Sequence, residues 1–404
     1  MSDIFIGRQP IFNGDLQVYA YELLFRSSEE QVTASIVDGD SATSQVMLNT
    51  FVDIGLENLV GRHKAFINVT RYFLQDPDRV AIPPGQVVLE VLEDIEPDEK
   101  VIETLTILKK RGYTIALADF IYARHLQPMV DLSDIIKIDT MALSHAEIEQ
   151  HVIQFRSQNK RLLAEKVESY EEFEFLKQLG FDYYQGYFFS RPTVIKGKGL
   201  KPNQIAVLNL VAKINNEQVD VNQLSDIIST DISLSHKILK FINSPVSGLS
   251  VQIDTIQRAV VLLGLNTIKN WVSIVALATG SDKPHELSTL ALVRARTCEQ
   301  LARAAGINRP ESFFTAGLFS ALDAMMDQPL STLLDDLPLP DDLKLALLEK
   351  SGVCGDALSC VIAMERNHVD GILFLNLDAS IMSEIYLDAL LWAGEQSKAV
   401  ESKS

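Results

Sequence analysis

The first half of the chain alternates short apolar runs with stretches in which apolar residues recur at helical spacing. Runs rich in β-branched and aromatic residues are typical of strands. The strand-like runs are YELLFR at 21–26, AFINV at 65–69, QVVLEVLE at 86–93, YTIALAD at 113–119, DIIKID at 134–139, RLLAEKV at 161–167 and FDYYQG at 181–186. Helix-period stretches lie between them at 41–55, 97–112 and 169–180. The alternation predicts repeated β-α units.

One further apolar run, DIFIGRQPIF at 3–12, opens the chain. It precedes the turn residues Asn13, Gly14 and Asp15, a pattern that is typical of an antiparallel hairpin with the next run. Eight strands with one antiparallel start predict an α/β fold, a closed (β/α)8 TIM-like barrel over residues 1–192. In such barrels the chemistry gathers where the C-terminal ends of the strands meet the following loops.

The second half of the chain has a different pattern. After Arg191-Pro192, the segment TVIKGKGLKPN loses its periodicity and gains Gly, Lys and Pro, which predicts an interdomain linker at 193–203. Amphipathic helical stretches follow one another from there, with no strand-like run among them. We predict an all-α domain at 204–395 and a disordered polar tail at 396–404.

Composition narrows the possible functions. The 404 residues suffice for two domain cores. The formal charge of −18 argues against a protein that binds nucleic acid or anionic membranes, because such a protein needs a stripe of basic residues. The three cysteines fit neither a metal-binding spacing nor a disulfide framework, which indicates free thiols in a reducing compartment. The N-terminus lacks a signal-peptide pattern, and the apolar runs are too short to span a bilayer. We therefore predict a cytoplasmic protein.

Oxygen-bearing side chains recur at or near the ends of the strand-like runs. These residues are Glu22, Asn68, Glu93, Asp119 and Glu165. Carboxylate and amide oxygens suit hard divalent cations, so the set predicts a metal pocket at the barrel rim. Ala118 interrupts the set, because the surrounding pattern favours a second aspartate beside Asp119. The alternative is a group of rim carboxylates satisfied by backbone donors or by Lys137 and Arg26.

Five motifs in this half resemble those of EAL-domain cyclic di-GMP phosphodiesterases. YELLFR resembles the family's E-x-L-x-R signature. LADF at 117–120, IKID at 136–139, AEKVE at 164–168 and YYQGYFFSRP at 183–192 resemble D-D-F-G, K-I-D, A-E-G-V-E and Q-G-Y. The motifs stand in the family's order and span the first domain. The resemblance implies a barrel with two divalent cations that promote phosphodiester hydrolysis.

The resemblance also implies roles for the matching residues. The metal-ligand positions are Glu22, Asn68, Glu93 and Asp119. The nucleotide-binding positions are Leu24 and Arg26, of which the arginine contacts a phosphate. The general-base and water-orienting positions are Lys137, Glu165, Glu168 and Gln185.

Three departures from the family pattern change what we expect of the site. The bridging aspartate is Ala118, and two motif glycines are replaced by Ile121 and Lys166. Because the bridging carboxylate serves both ions, its loss weakens both metal sites together. We expect hydrolysis to be lost. We also expect that the site binds no cofactor firmly, and that any metal it retains is Mg²⁺ or Mn²⁺. We also expect weak cyclic di-GMP binding, and crowding should raise the pKa of some carboxylates.

Lys166 follows Glu165 directly in the chain. Strand alternation turns successive side chains to opposite sides, so Lys166 is expected to be a solvated or ion-paired lysine.

The segment at 231–272 resembles the core of HDOD domains, relatives of HD-type metal phosphohydrolases that have lost their metal ligands. Ser320-Ala321 stands at the His-Asp position, and Asp323 is expected to be a helix-surface charge. The combination resembles bacterial signalling proteins. Two hypotheses follow. The first is a non-catalytic regulator in the cyclic di-GMP network, whose helical domain binds a signalling protein through the residues around Asn243 to Ser250. The second is an active phosphodiesterase that yields pGpG. The sequence leaves open whether the protein forms a homodimer.

Overall fold

The computed structural model divides the chain into two compact units, Met1–Phe188 and Phe189–Ser404. It describes residues 4–27, 55–80, 82–118, 123–190, 202–215, 218–229, 234–235, 238–239, 242–243, 253–280, 283–335, 337–366, 368 and 371–401. The helix predicted at 41–55 and the candidate ligand Asp119 lie outside the described residues.

The first unit is a closed eight-stranded barrel with neighbouring strands in sequence order. The strands are β1 Ile4–Asn13, β2 Val18–Ser27, β3 Lys64–Val69, β4 Val87–Val91, β5 Thr114–Leu117, β6 Ile135–Asp139, β7 Arg161–Glu165 and β8 Tyr183–Gln185. Strand β1 is antiparallel to both β2 and β8, and the remaining neighbours are parallel. The predicted barrel with one antiparallel strand is therefore confirmed.

Five α-helices of this unit are described: α1 Leu56–Val60, α2 Glu99–Lys110, α3 Gln127–Leu132, α4 His145–Arg156 and α5 Tyr170–Leu179. Their ends follow local rules. The Asp98 side chain accepts a hydrogen bond from the Val101 N–H at the start of α2. Helix α5 ends at Gly180, whose φ of 94° lies in the left-handed region that glycine adopts without strain. The two helical stretches predicted at 97–112 and 169–180 are confirmed.

The barrel interior is filled by side chains from alternating strand positions. Phe66, Val88, Ala116 and Leu163 belong to one fully buried cluster. This packed interior leaves the polar strand-end side chains to gather at the C-terminal rim of the barrel.

All secondary-structure elements described in the second unit are helices. They are α6 Pro202–Asn215, α7 Val221–Ser229, α8 Ile256–Leu263, α9 Leu265–Gly280, α10 His285–Ala304, α11 Pro310–Phe319, α12 Leu322–Met326, α13 Leu330–Asp335, α14 Asp341–Glu349, α15 Gly352–Glu365 and α16 Ala379–Glu401. Two boundaries differ from the prediction. Helix α6 begins inside the predicted linker, because proline fits the first turn of a helix. Helix α16 continues to Glu401, through most of the predicted tail.

The three cysteines all lie in this unit as free thiols, as the sequence predicted. Cys298 and Cys360 are buried, and burial raises the pKa of both Cys354 and Cys360 to about 12. These thiols are therefore poor nucleophiles. Among the described residues, no helix combines the length and the apolar character needed to cross a membrane.

Candidate functional site

Three carboxylates from separate strands meet at the C-terminal rim of the barrel. Glu22 from β2, Glu90 from β4 and Glu165 from β7 each bring one oxygen to within 4.8 Å of the other two. These strands run in the same direction around the barrel, so residues far apart in sequence reach the same rim. Within the described part of the chain, this is the one group of three potential metal-ligating side chains.

The ammonium group of Lys137 lies at the centre of these carboxylates. Its Nζ is 3.1 Å from Glu22 Oε2, 2.5 Å from Glu90 Oε1 and 2.8 Å from Glu165 Oε1, and its side chain is 0 % exposed. A lysine ammonium has three N–H donors, so the three carboxylates can accept all of them. Burial by itself lowers the pKa of Lys137, but the three carboxylates raise it well above its usual value. The lysine therefore stays charged.

Glu90 occupies the position that the sequence assigned to Glu93. Glu93 is exposed and lies beyond the end of β4, so the structure does not bring it to the cluster. Glu90 is buried and is the cross-strand neighbour of Asn68 on β3. The carboxylate that this part of the chain brings to the cluster is therefore Glu90 and not the predicted Glu93. Its signal in the sequence is a single charge within the apolar run VVLEV, because a charge in a buried strand requires a partner.

Burial raises the pKa of Glu90 well above its usual range, and the nearby Glu22 and Glu165 carboxylates add to this effect. The Lys137 ammonium opposes it only in part. The expectation that crowding raises the pKa of some rim carboxylates is confirmed at this residue.

Amide side chains complete the site. Gln185 Nε2 donates to Glu22 Oε2 at 2.6 Å and to Gln9 Oε1 at 2.9 Å. At this site the buried oxygens Asn68 Oδ1, Glu90 Oε2 and Gln185 Oε1 accept no hydrogen bond from the described residues. Buried oxygens of this kind normally contact a water molecule or a cation. The structure thus brings together Glu22, Asn68, Lys137, Glu165 and Gln185 of the predicted set.

Two other predicted residues, Glu168 and Leu24, are not among the side chains that meet Lys137. Glu168 is half-buried on the loop after β7, where its backbone N–H donates to the Glu172 carboxylate at 3.0 Å. Leu24 is half-buried in β2. The backbone of Arg26 pairs with Phe5 at the end of the same strand, and its side chain is outside the described residues.

Two departures from the family pattern have clear structural consequences. Ala118 follows β5, is 6 % exposed, and its N–H donates to the Val91 carbonyl at 3.0 Å. A methyl group therefore lies where the pattern favours a carboxylate, next to the strand that carries Glu90. Lys166 has a φ of 57° and its Nζ is 2.5 Å from Asp139 Oδ2. The expected ion-paired lysine is confirmed, in a backbone conformation that favours glycine.

The described residues do not fit a pair of divalent cations. Mg²⁺ requires near-octahedral oxygen ligands at about 2.0–2.1 Å. The carboxylates have suitable chemistry, but they surround Lys137 Nζ at hydrogen-bonding distances. Ala118 offers no oxygen to bridge two ions.

The helical unit also has a buried cation that pairs with a carboxylate. Arg294 of α10 donates from Nε and Nη2 to the two carboxylate oxygens of Glu365 in α15, both at 2.8 Å, and from Nη1 to Ser320 Oγ at 3.2 Å. A guanidinium thus contacts the residue at the predicted His-Asp position. Asp323 is half-buried and burial raises its pKa, so its assignment as a surface charge is wrong. The Arg294 guanidinium opposes part of this rise in the pKa of Asp323.

Comparisons with known proteins agree with both halves of the structure. Residues 9–192 match the EAL domain and residues 202–326 match the HDOD domain. The uncharacterized protein YuxH of Bacillus subtilis (strain 168) is 37% identical over 96% of this chain and 98% of its own. Cyclic di-GMP phosphodiesterase CdgJ of Vibrio cholerae serotype O1 is 32% identical over 99% of this chain and 94% of its own.

A solved structure of a standalone EAL protein from Vibrio cholerae O395, in a c-di-GMP bound form, is 23% identical and covers 46% of this chain and 91% of its own. Its TM-score is 0.37.

Proposed function

Because the chain belongs to the family of proteins that join an EAL domain to an HDOD domain, we propose that it is a non-hydrolytic regulator in the cyclic di-GMP network. The barrel is then a degenerate nucleotide site, and the helical domain recognises a protein partner. The observation that carries this proposal is the buried Ala118 at the position where a carboxylate would bridge two cations.

The chemistry of phosphodiester cleavage explains why this residue matters. Two divalent cations activate the attacking water and stabilise the leaving oxygen, and a shared carboxylate fixes their separation. A methyl group cannot do this. Without cations, the doubly negative nucleotide faces the carboxylates of Glu22, Glu90 and Glu165, which a single ammonium from Lys137 offsets only in part. Weak binding and no turnover follow from this charge balance.

An active phosphodiesterase is the alternative. The relative CdgJ, a cyclic di-GMP phosphodiesterase by name, favours it, since it is 32% identical over nearly the whole of this chain. An active site of this kind would use Mg²⁺ or Mn²⁺, with Glu22, Asn68 and Glu90 as ligands in the described part of the barrel, and would yield pGpG.

We expect the full-length protein to form no pGpG above background from cyclic di-GMP with Mg²⁺ or Mn²⁺. The variant Ala118→Asp should also be inactive, because Ile121 and Lys166 still replace the glycines that shape the neighbouring loops. Chromatographic separation of the products measures both. Steady turnover by the native protein that Glu22→Ala abolishes would establish the alternative.

Calorimetric titration of the same samples with cyclic di-GMP, with and without metal, measures binding separately from turnover. Tight binding without metal would contradict the charge argument, and would make Arg26 and Lys137 the compensating charges.

The proposed partner surface lies on the helical domain. The Asn243 side chain donates to the Ile253 carbonyl and accepts from the Ile253 N–H, both at 2.7 Å, which ties together the ends of the segment between them. Residues 244–250 of the predicted contact surface lie outside the described residues. Shortly after Ile253, helix α8 exposes Val261 (80 %) and Leu262 (52 %). Neighbouring exposed apolar residues favour protein recognition.

We expect the double variant Val261→Asp/Leu262→Asp to lose the partner that the native full-length chain captures from its own cells. The control is Ile153→Asp, which places one aspartate on an exposed apolar position of the barrel. Affinity purification followed by mass spectrometry compares the three proteins. Capture of the same partner by the double variant would exclude this surface.

A further inference from the structure

We infer that Lys137 is the resident cation of the barrel site: its ammonium fills the place among Glu22, Glu90 and Glu165 that a divalent cation would otherwise take. The inference rests on the proposed function and deepens it, because it names what occupies the degenerate site. It predicts that the metal-binding capacity of the carboxylates is blocked by a residue of the chain and is released when that residue is changed.

The geometry matches an ammonium in both number and distance. Three donors meet three acceptors: the contacts to Glu22 and Glu165, at 3.1 and 2.8 Å, have ordinary N–H···O lengths, and the contact to Glu90 is shorter, at 2.5 Å. Mg²⁺ requires shorter contacts of about 2.0–2.1 Å and more ligands. Such an ion cannot share this position with Lys137 Nζ, so the lysine has to leave first.

The surroundings of Lys137 oppose its departure. The side chain is fully buried in β6, with Nζ 6.0 Å from the centre of the Phe66 ring. An ammonium that leaves three carboxylates inside a protein loses its compensating charges, and this is costly unless new partners are found. A divalent ion that entered beside the lysine would instead face a like charge at close range. Both routes disfavour metal binding.

The rest of the pocket is rich in oxygen. Besides the carboxylates, Gln185 is 3 % exposed and its Oε1 accepts no hydrogen bond from the described residues, nor does Oε2 of Glu90. Removing the ammonium leaves these oxygens around a space without a positive charge. Acidic and amide oxygens are the ligands that Mn²⁺ and Mg²⁺ prefer.

The experiment compares Mn²⁺ binding by the full-length native protein and by Lys137→Met, which keeps an unbranched side chain, shorter by one heavy atom, and removes the charge. Paramagnetic resonance of free Mn²⁺ gives the dissociation constant, and thermal unfolding gives the stabilisation by bound ion. We expect native unfolding to be unchanged by millimolar Mn²⁺. For Lys137→Met we expect a lower unfolding temperature without Mn²⁺, its recovery with Mn²⁺, and at least tenfold tighter binding than in the native protein.

Lys160→Met is the matched control. Lys160 is also buried, but its ammonium donates to the backbone carbonyls of Asp131 and Ser133 and not to the carboxylate cluster. Its replacement should lower stability without any gain in Mn²⁺ binding. A gain in this control equal to that of Lys137→Met would overturn the inference, because any buried lysine would then suffice.

A second variant keeps the test decisive if Lys137→Met does not fold. Lys137→Met/Glu90→Gln removes one negative charge together with the positive one and should fold with or without Mn²⁺. Native binding as tight as that of the variants, or failure of both variants to fold even with Mn²⁺, would overturn the inference. Formation of pGpG by the native protein would contradict the proposed function instead, so the two failures have different readouts.

Discussion

Replacing Arg294 with methionine is expected to lower the free energy of unfolding of the helical domain by about 3–5 kcal/mol. Arg294 and Glu365 are 8 % and 6 % exposed, and the arginine binds both carboxylate oxygens of its partner. Without the guanidinium, a buried carboxylate has lost its charge partner. The loss of stability comes from this unpaired buried charge, and it is larger than the net stabilisation that the ion pair itself provides.

The double variant Arg294→Met/Glu365→Gln distinguishes these two terms. It removes both charges, so we expect it to recover most of the stability that the single variant loses. Trp271 and Trp392 are the two tryptophans of the chain and both belong to the helical unit, so their fluorescence during urea denaturation reports on this unit alone. A loss of under about 1 kcal/mol in the single variant would mean that water reaches Glu365 and screens it.

The barrel could be predicted from the sequence because each of its strands is a short apolar run with its own boundaries. Parallel strands are buried on both faces, so their runs stand out from the helical stretches between them. The hairpin was also accessible, since Asn13 and Gly14 separate two strand-like runs. Helix boundaries were less accessible. Helix α16 reaches Glu401 although its last residues are polar, because Lys, Ala and Glu are good helix formers.

The site was predicted only in part, and Glu90 shows why. Glu90 and Glu93 both follow apolar residues, and all five residues of β4 are buried, so this strand has no polar face to show which glutamate points inward. The choice depends on the register with β3, where Glu90 pairs with Asn68. Register between parallel strands is a tertiary property that no single run encodes.

The central position of Lys137 was hidden for a related reason. It contacts Glu22 across a separation of 115 residues, and only closure of the barrel brings them together. The sequence offered Lys137 as a partner for rim carboxylates in general, but it did not show a single ammonium shared among three. The prediction that Asp323 is a surface charge failed for a similar reason, because the burial of this residue depends on the packing of helices that are distant in sequence.

Gly317 of α11 lies directly against the backbone of α10 at Ala295. A Cβ atom on Gly317 would be 2.5 Å from both Cα and N of Ala295, so no side-chain rotation can relieve the overlap. We therefore expect Gly317→Ala to lower the free energy of unfolding of the helical domain by roughly 3 kcal/mol or more, at the upper end of overpacking effects. Alanine ordinarily favours a helix over glycine, so the expected sign is opposite to that of helix propensity.

The chain offers a matched control in Gly394, which is also inside a helix, α16, but has no heavy atom within 4 Å of its would-be Cβ. Gly394→Ala should raise the free energy of unfolding by about 0.5–1 kcal/mol, because only the backbone entropy changes. Tryptophan fluorescence during urea denaturation measures both variants. Equal effects at the two glycines would show that helix propensity dominates at both positions, and that α10 and α11 can separate at little cost. We expect opposite signs, because of these two glycines only Gly317 lies against the backbone of another helix.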